Sequence, residues 1–312
     1  MSALLPSFLA LLLLLLLTVP TTPSSLKWTN LTATSTSTSS TTSSPLLHPT
    51  SYTLPAGETL GILGPSGAGK STFLLSLANL APNSIATTGT VTTGVSPCHL
   101  LQTADVAFLS QTDTFFSQLT VAETLTVAAN LQSTTPPPPT LLNTLGLTTS
   151  LHRRVGRQTG AAGGLSGGEK RRLSVAIETI GSKSVILADE PTTGLDSSQA
   201  GMVVKLIKDL AKARGVAAVM TLHAPRHSVY KMLDHVMLLG PRGVTVYTGP
   251  TAQVEAYFAK LGYKCEERNV AEFLIDLVSV DTEDEEQRVK DVERIGERKQ
   301  AGEREGIAGL KR

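Results

Sequence analysis

Residues 64 to 72 read GPSGAGKST. Gly64, Gly69, Lys70 and Ser71 fit G-x-x-x-x-G-K-[ST], a spacing that suits a loop wrapped round the phosphates of a nucleotide. Glycines let a backbone approach phosphate closely, with several N–H groups turned inward. A helix opening straight after the loop adds the positive end of its dipole. Gly64, Pro65, Ser66, Gly67, Ala68, Gly69, Lys70, Ser71 and Thr72 are therefore the candidate nucleotide-binding run. In it Lys70 would reach the β and γ phosphates, and Ser71 would ligate Mg²⁺.

A Mg²⁺ site needs a carboxylate near that loop. Val185-Ile186-Leu187-Ala188 runs directly into Asp189-Glu190. A buried strand ending in two acids places them where open parallel sheets bind ligands, at the carboxyl ends of the strands. Asp189 would hold Mg²⁺ through water. Glu190 is the natural base or orienter for an attacking water. A third stretch, Leu165-Ser166-Gly167-Gly168-Glu169, forms a second anion cradle without a lysine. One nucleotide hardly needs two cradles in one small domain, whereas two copies facing each other would use both.

The elements that must position these residues follow from the hydrophobic pattern. Thr59–Gly64 is an apolar run feeding the loop, and a helix is predicted from Ser71 to Leu80. Further buried strands are predicted at 105–110, 184–188, 216–222 and 235–239, with helices at 119–132, 168–180 and 198–213. Strands alternating with helices imply a largely parallel sheet covered by helices. The prolines at 136–139 should lie on a surface connection.

Taken in order, GPSGAGKST, Gln111, LSGGEKRR, VILADEP, Gly194-Leu195-Asp196 and His223 resemble an ATP-binding cassette (ABC) transporter nucleotide-binding domain. DEPTTGLDS (189–197), TLHAPR (221–226), YTGP (247–250) and residues 256–277 are most similar to the G (white/pigment) subfamily of half-transporters. The resemblance covers about residues 52–280, with a weaker start at 26–31. It implies a P-loop NTPase ABC-type α/β fold: a mostly parallel core sheet, an antiparallel β part and a helical subdomain at about 112–180. It implies ATP and Mg²⁺ as cofactors, a second nucleotide-binding domain as partner, and coupling to a membrane domain.

The same resemblance implies further roles. Gln111 would sense Mg²⁺ and the attacking water. Ser166, Gly167 and Gly168 would contact the γ-phosphate of ATP held by the opposite subunit. Asp196 would communicate across the dimer. His223 would contact the γ-phosphate and hold the active geometry with Glu190. A phosphoryl transition state needs spread negative charge met by fixed donors, and this set supplies them. Two departures stand out. Ala224 occupies a position where the subfamily usually has Gln, and Trp28 is the candidate for the aromatic expected on adenine. A soluble ABC-type ATPase and a non-catalytic regulatory subunit are the alternatives.

The remaining sequence bounds the class. The chain has 312 residues with a net charge of +1, which argues against a broad nucleic-acid-binding surface. Cys98 and Cys265 match no metal-ligand spacing and suggest reduced thiols. Residues 1–25 are a hydrophobic leader or anchor; its apolar run from Leu4 to Val19 would span about 24 Å as a helix, short of a hydrocarbon core of about 30 Å. With Lys27 as the first charge, insertion would leave the rest of the chain facing the cytoplasm. Residues 26–51 read as a first strand plus a disordered Ser/Thr-rich insert at 32–44, 52–280 as the nucleotide-binding domain, and 281–312 as a charged linker or tail. The membrane domain that usually follows in the subfamily is then expected from elsewhere, or lost by truncation.

Overall fold

The computed structural model describes residues 23–36, 45–94, 99–132, 134, 139–156, 164–265 and 269–279. Most of the leader, residues 37–44 of the Ser/Thr-rich stretch, three of the four prolines, Cys98 and the charged tail lie outside the described residues.

The first sheet is antiparallel. Strand β1 (Leu26–Ser35) pairs on one side with β2 (Pro45–Leu54) and on the other with β4 (Ile85–Thr93), which is joined by the short β5 (His99–Leu100). In β1 the inward residues are Leu26 and Trp28, then Leu31 and Ala33, so the alternation slips by one residue. A bulge absorbs the slip. The pairing register shifts there with both neighbours, and Asn30 takes φ 49°. Gly89 lies against the bulge; a Cβ on it would stand 2.5 Å from the Asn30 carbonyl oxygen.

The second sheet has six strands in the order β10-β9-β3-β8-β7-β6. These are β3 (Thr59–Leu63), β6 (Val106–Leu109), β7 (Val185–Ala188), β8 (Ala217–Thr221), β9 (His235–Gly240) and β10 (Val244–Pro250). All neighbours are parallel except β10 on β9. Every residue of β3, β7, β8 and β9 is buried, as expected of parallel strands covered on both faces.

Helix α1 (Lys70–Leu77) lies between the two sheets: Phe73, Leu74 and Leu77 share one core with Leu26 and Trp28 of β1 and Leu60 and Ile62 of β3. The helices α2 (Val121–Leu131), α3 (Pro139–Thr144) and α4 (Gly167–Glu178) occur between β6 and β7. They join a second core on the opposite face with α5 (Ser197–Arg214), α6 (His227–Tyr230), α7 (Val254–Lys260) and α8 (Val270–Val278).

Residue 52 falls inside β2, which pairs with β1. Two expectations are corrected. Thr32–Ser35, read as part of a disordered stretch, belong to β1, where β-branched threonines suit a pleated surface. Trp28 is fully buried, with its ring 5.5 Å from Phe73 and 5.6 Å from Tyr52 between centroids. It fills the seam between the antiparallel sheet and α1, out of reach of a bound base.

Candidate nucleotide site

Strand β3 ends at Leu63 and α1 opens at Lys70, so residues 64–69 form the turn between them. Gly69 is the N-cap of α1 at φ 91°, with no side-chain cap. The first amides of that helix are thus left for another acceptor. A Cβ on Gly69 would stand 2.9 Å from the Leu46 carbonyl oxygen, so only glycine fits between the loop and β2. The Lys70 ammonium is buried and donates to the carbonyls of Gly64 at 2.8 Å and Pro65 at 3.0 Å. Burial pulls its pKa below the ordinary lysine value, opposed by the charges of Glu190 and Asp189.

The loop opens on a cleft of about 410 Å³ whose lining includes Gly67, Lys70, Ser71 and Glu190. Pro45, Leu46 and Arg242 form another part of that lining, and none of them is aromatic. Ser71 lies beside both acids. The Ser71 hydroxyl donates to Asp189 Oδ1 at 3.1 Å. Gln111, two residues beyond β6, donates through Nε2 to Glu190 Oε2 at 2.8 Å. Thr193 donates to the same oxygen at 2.9 Å. Hard oxygen donors on Ser71 and Asp189 fit Mg²⁺, which keeps several waters and shares itself with phosphate. Among the described residues there is no group of three or more His, Cys, Asp or Glu that could hold a metal.

The second cradle stands apart from the first. Ser166 is the N-cap of α4 and accepts from the Glu169 amide at 3.2 Å, while Glu169 returns a bond to the Ser166 amide at 2.8 Å. This capping box leaves the amides of Gly167 and Gly168 at the helix mouth. Burial raises the Glu169 pKa, but hydrogen bonds from Ser150 and Ser166 and the charge of Arg153 outweigh it and hold the carboxyl below its ordinary range. Asp196 is likewise an N-cap, accepting from the amides of Ser198 and Gln199 at the start of α5.

His223 stands in a different place from the acids. It lines a second cleft with Asp196 and Ala224 and makes no hydrogen bond to Glu190. The chain turns at Ala224, at φ 41°, and the place beside the acids is taken by Thr221. Thr221 sits at the end of β8, with its hydroxyl between the Asp189 carboxylate and the Glu190 amide. The sequence signal for it was a single hydroxyl closing an apolar strand, Ala217-Ala218-Val219-Met220-Thr221.

Arg171 was also missed. In the run Lys170-Arg171-Arg172 it looks like one more solvated charge, yet it is 4% exposed. Its guanidinium donates to the carbonyls of Ser110, Asp189 and Pro191 and to Asp113 Oδ1 at 2.8 Å. One side chain thus joins α4 to the segment bearing Gln111 and to the segment bearing Glu190.

The ABC transporter family model matches residues 47–193, taking in the glycine loop, the second cradle and both acids. The chain belongs to the ABC transporter family. A second model, ABC-2 type transporter, matches residues 223–297. Among the described residues of this ABC transporter chain no helix is long and apolar enough to cross a membrane. The chain is 40% identical over 270 residues to ABC transporter G family member 7 of Arabidopsis thaliana, covering 83% of this chain and 37% of that protein. It is 35% identical to ABC transporter G family member 1 of Dictyostelium discoideum, covering 74% of this chain and 30% of that protein. ABC transporter G family member STR of Petunia hybrida is 37% identical, with 71% and 27% covered. The chain thus spans about a third of the length of these relatives. It carries the ATP-binding domain of an ABC transporter, a family that generally hydrolyses ATP and works through paired nucleotide-binding domains with membrane domains.

Proposed function

We propose that this chain binds MgATP in the cleft beside Lys70, hydrolyses it, and drives transport of a lipid or small molecule across a membrane. The observation that carries the reading is the unbroken chain of contacts from Ser71 through Asp189 and Thr221 to Glu190 beside the glycine loop. Residues 64–72 would hold the phosphates, with Lys70 on the β and γ groups. Ser71, Asp189 and Gln111 would hold Mg²⁺, which when bound neutralises phosphate charge. Glu190 would take a proton from water as its oxygen bonds to the γ-phosphorus and the bond to the bridging oxygen of ADP breaks. Gln111 and Thr193, both on Glu190 Oε2, fix the direction of that carboxylate.

Ser166, Gly167 and Gly168 would complete the site of a second copy. Their cradle does not line the cleft that holds Lys70. His223 would meet the γ-phosphate from the second cleft, beside Asp196. The ATPase body would face the cytoplasm, where ATP is found, attached to a membrane domain in the same or another chain. As domain limits we propose a nucleotide-binding body from Leu26 to about residue 280, flanked by the hydrophobic leader and the charged tail. The test is turnover measured across a dilution series. Turnover per molecule is expected to fall with dilution through the dimer's dissociation range; a constant value would refute the two-copy site.

A further inference from the structure

Strand β8 lies between β3 and β7 in the sheet. Its last residue therefore comes out between the strand that feeds the phosphate loop and the strand that ends on the two acids. That residue is Thr221, the one polar side chain of β8, and it is fully buried. A valine would fill the same volume and suit an apolar strand better, so the hydroxyl calls for a reason.

Its contacts supply one. The Thr221 hydroxyl donates to Asp189 Oδ1 at 2.7 Å and accepts from the Glu190 amide at 2.7 Å. A hydroxyl has one proton and two acceptor sites, so the proton is committed to Asp189 and a lone pair to Glu190. The Glu190 backbone stands at φ 43°, in the left-handed region that non-glycine residues avoid. It is held there by this amide contact, and its carboxylate is then aimed at Gln111 and Thr193. The Ser71 hydroxyl lands on the same Asp189 oxygen, at 3.1 Å. One oxygen atom thereby sets the side chain of one acid and the main chain of the next.

We propose that Thr221 is a positioning residue that locks the metal-holding carboxylate and the base into one geometry, so that Mg²⁺ affinity and the hydrolytic step depend on its hydroxyl together. This rests on the ATPase reading of the site. Outer contacts of this kind change metal affinity or activity by about 10- to 100-fold when removed.

The test compares Thr221→Val, which keeps the volume, with Thr221→Ser, which keeps the hydroxyl, in the full chain, with folding of each checked by thermal melting. In Thr221→Val, kcat should fall and the Mg²⁺ concentration for half-maximal activation should rise, each by about 10-fold or more. The affinity for ATP without metal should stay within about twofold, because the phosphate loop keeps its contacts. Thr221→Ser should restore both quantities to within a few-fold of the parent. An unchanged kcat and Mg²⁺ requirement in Thr221→Val would overturn the proposal, as would a folded Thr221→Ser as impaired as Thr221→Val. Should the parent show no turnover, the ATPase reading fails on its own; the Mg²⁺-induced gain in ATP affinity, measured by calorimetry in all three proteins, then decides the positioning role separately.

Discussion

At the scale of single residues, the chemistry rests on a few side chains with separable effects. Glu190→Gln should keep ATP binding and lower turnover at least 100-fold, with an ATP-dependent dimer on a sizing column. Wild-type turnover in that variant would remove Glu190 as the base. Lys70→Ala should weaken ATP affinity by about 10- to 100-fold, the worth of charged hydrogen bonds to phosphate; titration calorimetry would read it. Trp28 separates packing from recognition. Trp28→Ala should destabilise the fold by about 3–5 kcal/mol in denaturant melts. The ATP affinity of the molecules still folded should be unchanged; a loss there would return Trp28 to the base. Lys70, Ser71, Asp189 and Glu190 were legible because motif and spacing carry their meaning along the chain. Thr221 and Arg171 were not, because theirs lies in partners far away: Asp113 is 58 residues from Arg171, and Asp189 is 32 from Thr221.

At the scale of elements, what positions the site is the fit of β2 against two turns. Gly243 takes φ 70°, and a Cβ there would stand 2.3 Å from the Leu46 carbonyl oxygen. Gly69 leans on that same carbonyl from the phosphate loop. Gly243→Ala should therefore cost about 1–3 kcal/mol of stability and weaken ATP binding as β2 is pushed toward the loop. Melting curves and ATP titration on one sample would check both. A second contact ties β3 to β9. Asp234 accepts from the Thr59 amide and hydroxyl, and Lys208 of α5 pairs with it at 2.7 Å. Burial raises the Asp234 pKa, yet these bonds outweigh it and hold the carboxyl below its usual value. A depressed carboxyl favours the fold above its unfolded value, near pH 4, and that contribution is lost as pH falls through the lower folded value. The stability gap between the parent and Asp234→Asn should thus narrow on acidification from pH 7 to 3. The core strands were readable because burial on both faces makes them continuous apolar runs. The full length of β1 was not, because threonines and a bulge at Asn30 break the period of two that marks a strand.

At the scale of the whole molecule, the second cradle does not line the cleft of the first, yet Arg171 ties its helix to the segments that bear Gln111 and Glu190. The helix that opens on Ser166 is anchored by this guanidinium to Asp189 and Pro191, on either side of Glu190, and to Ser110 beside Gln111. In the face-to-face pair proposed above, the helix would serve the neighbour's nucleotide and the acids the chain's own. A shift in either then moves the other, and coupling of this sort is reciprocal by thermodynamic necessity. The two ATP molecules of a pair would therefore not be hydrolysed as independent events. Arg171→Lys keeps the charge and loses the forked geometry. It should flatten the ATP dependence of turnover toward a simple hyperbola, and a Hill slope equal to the parent's would show that the two sites do not communicate through this side chain.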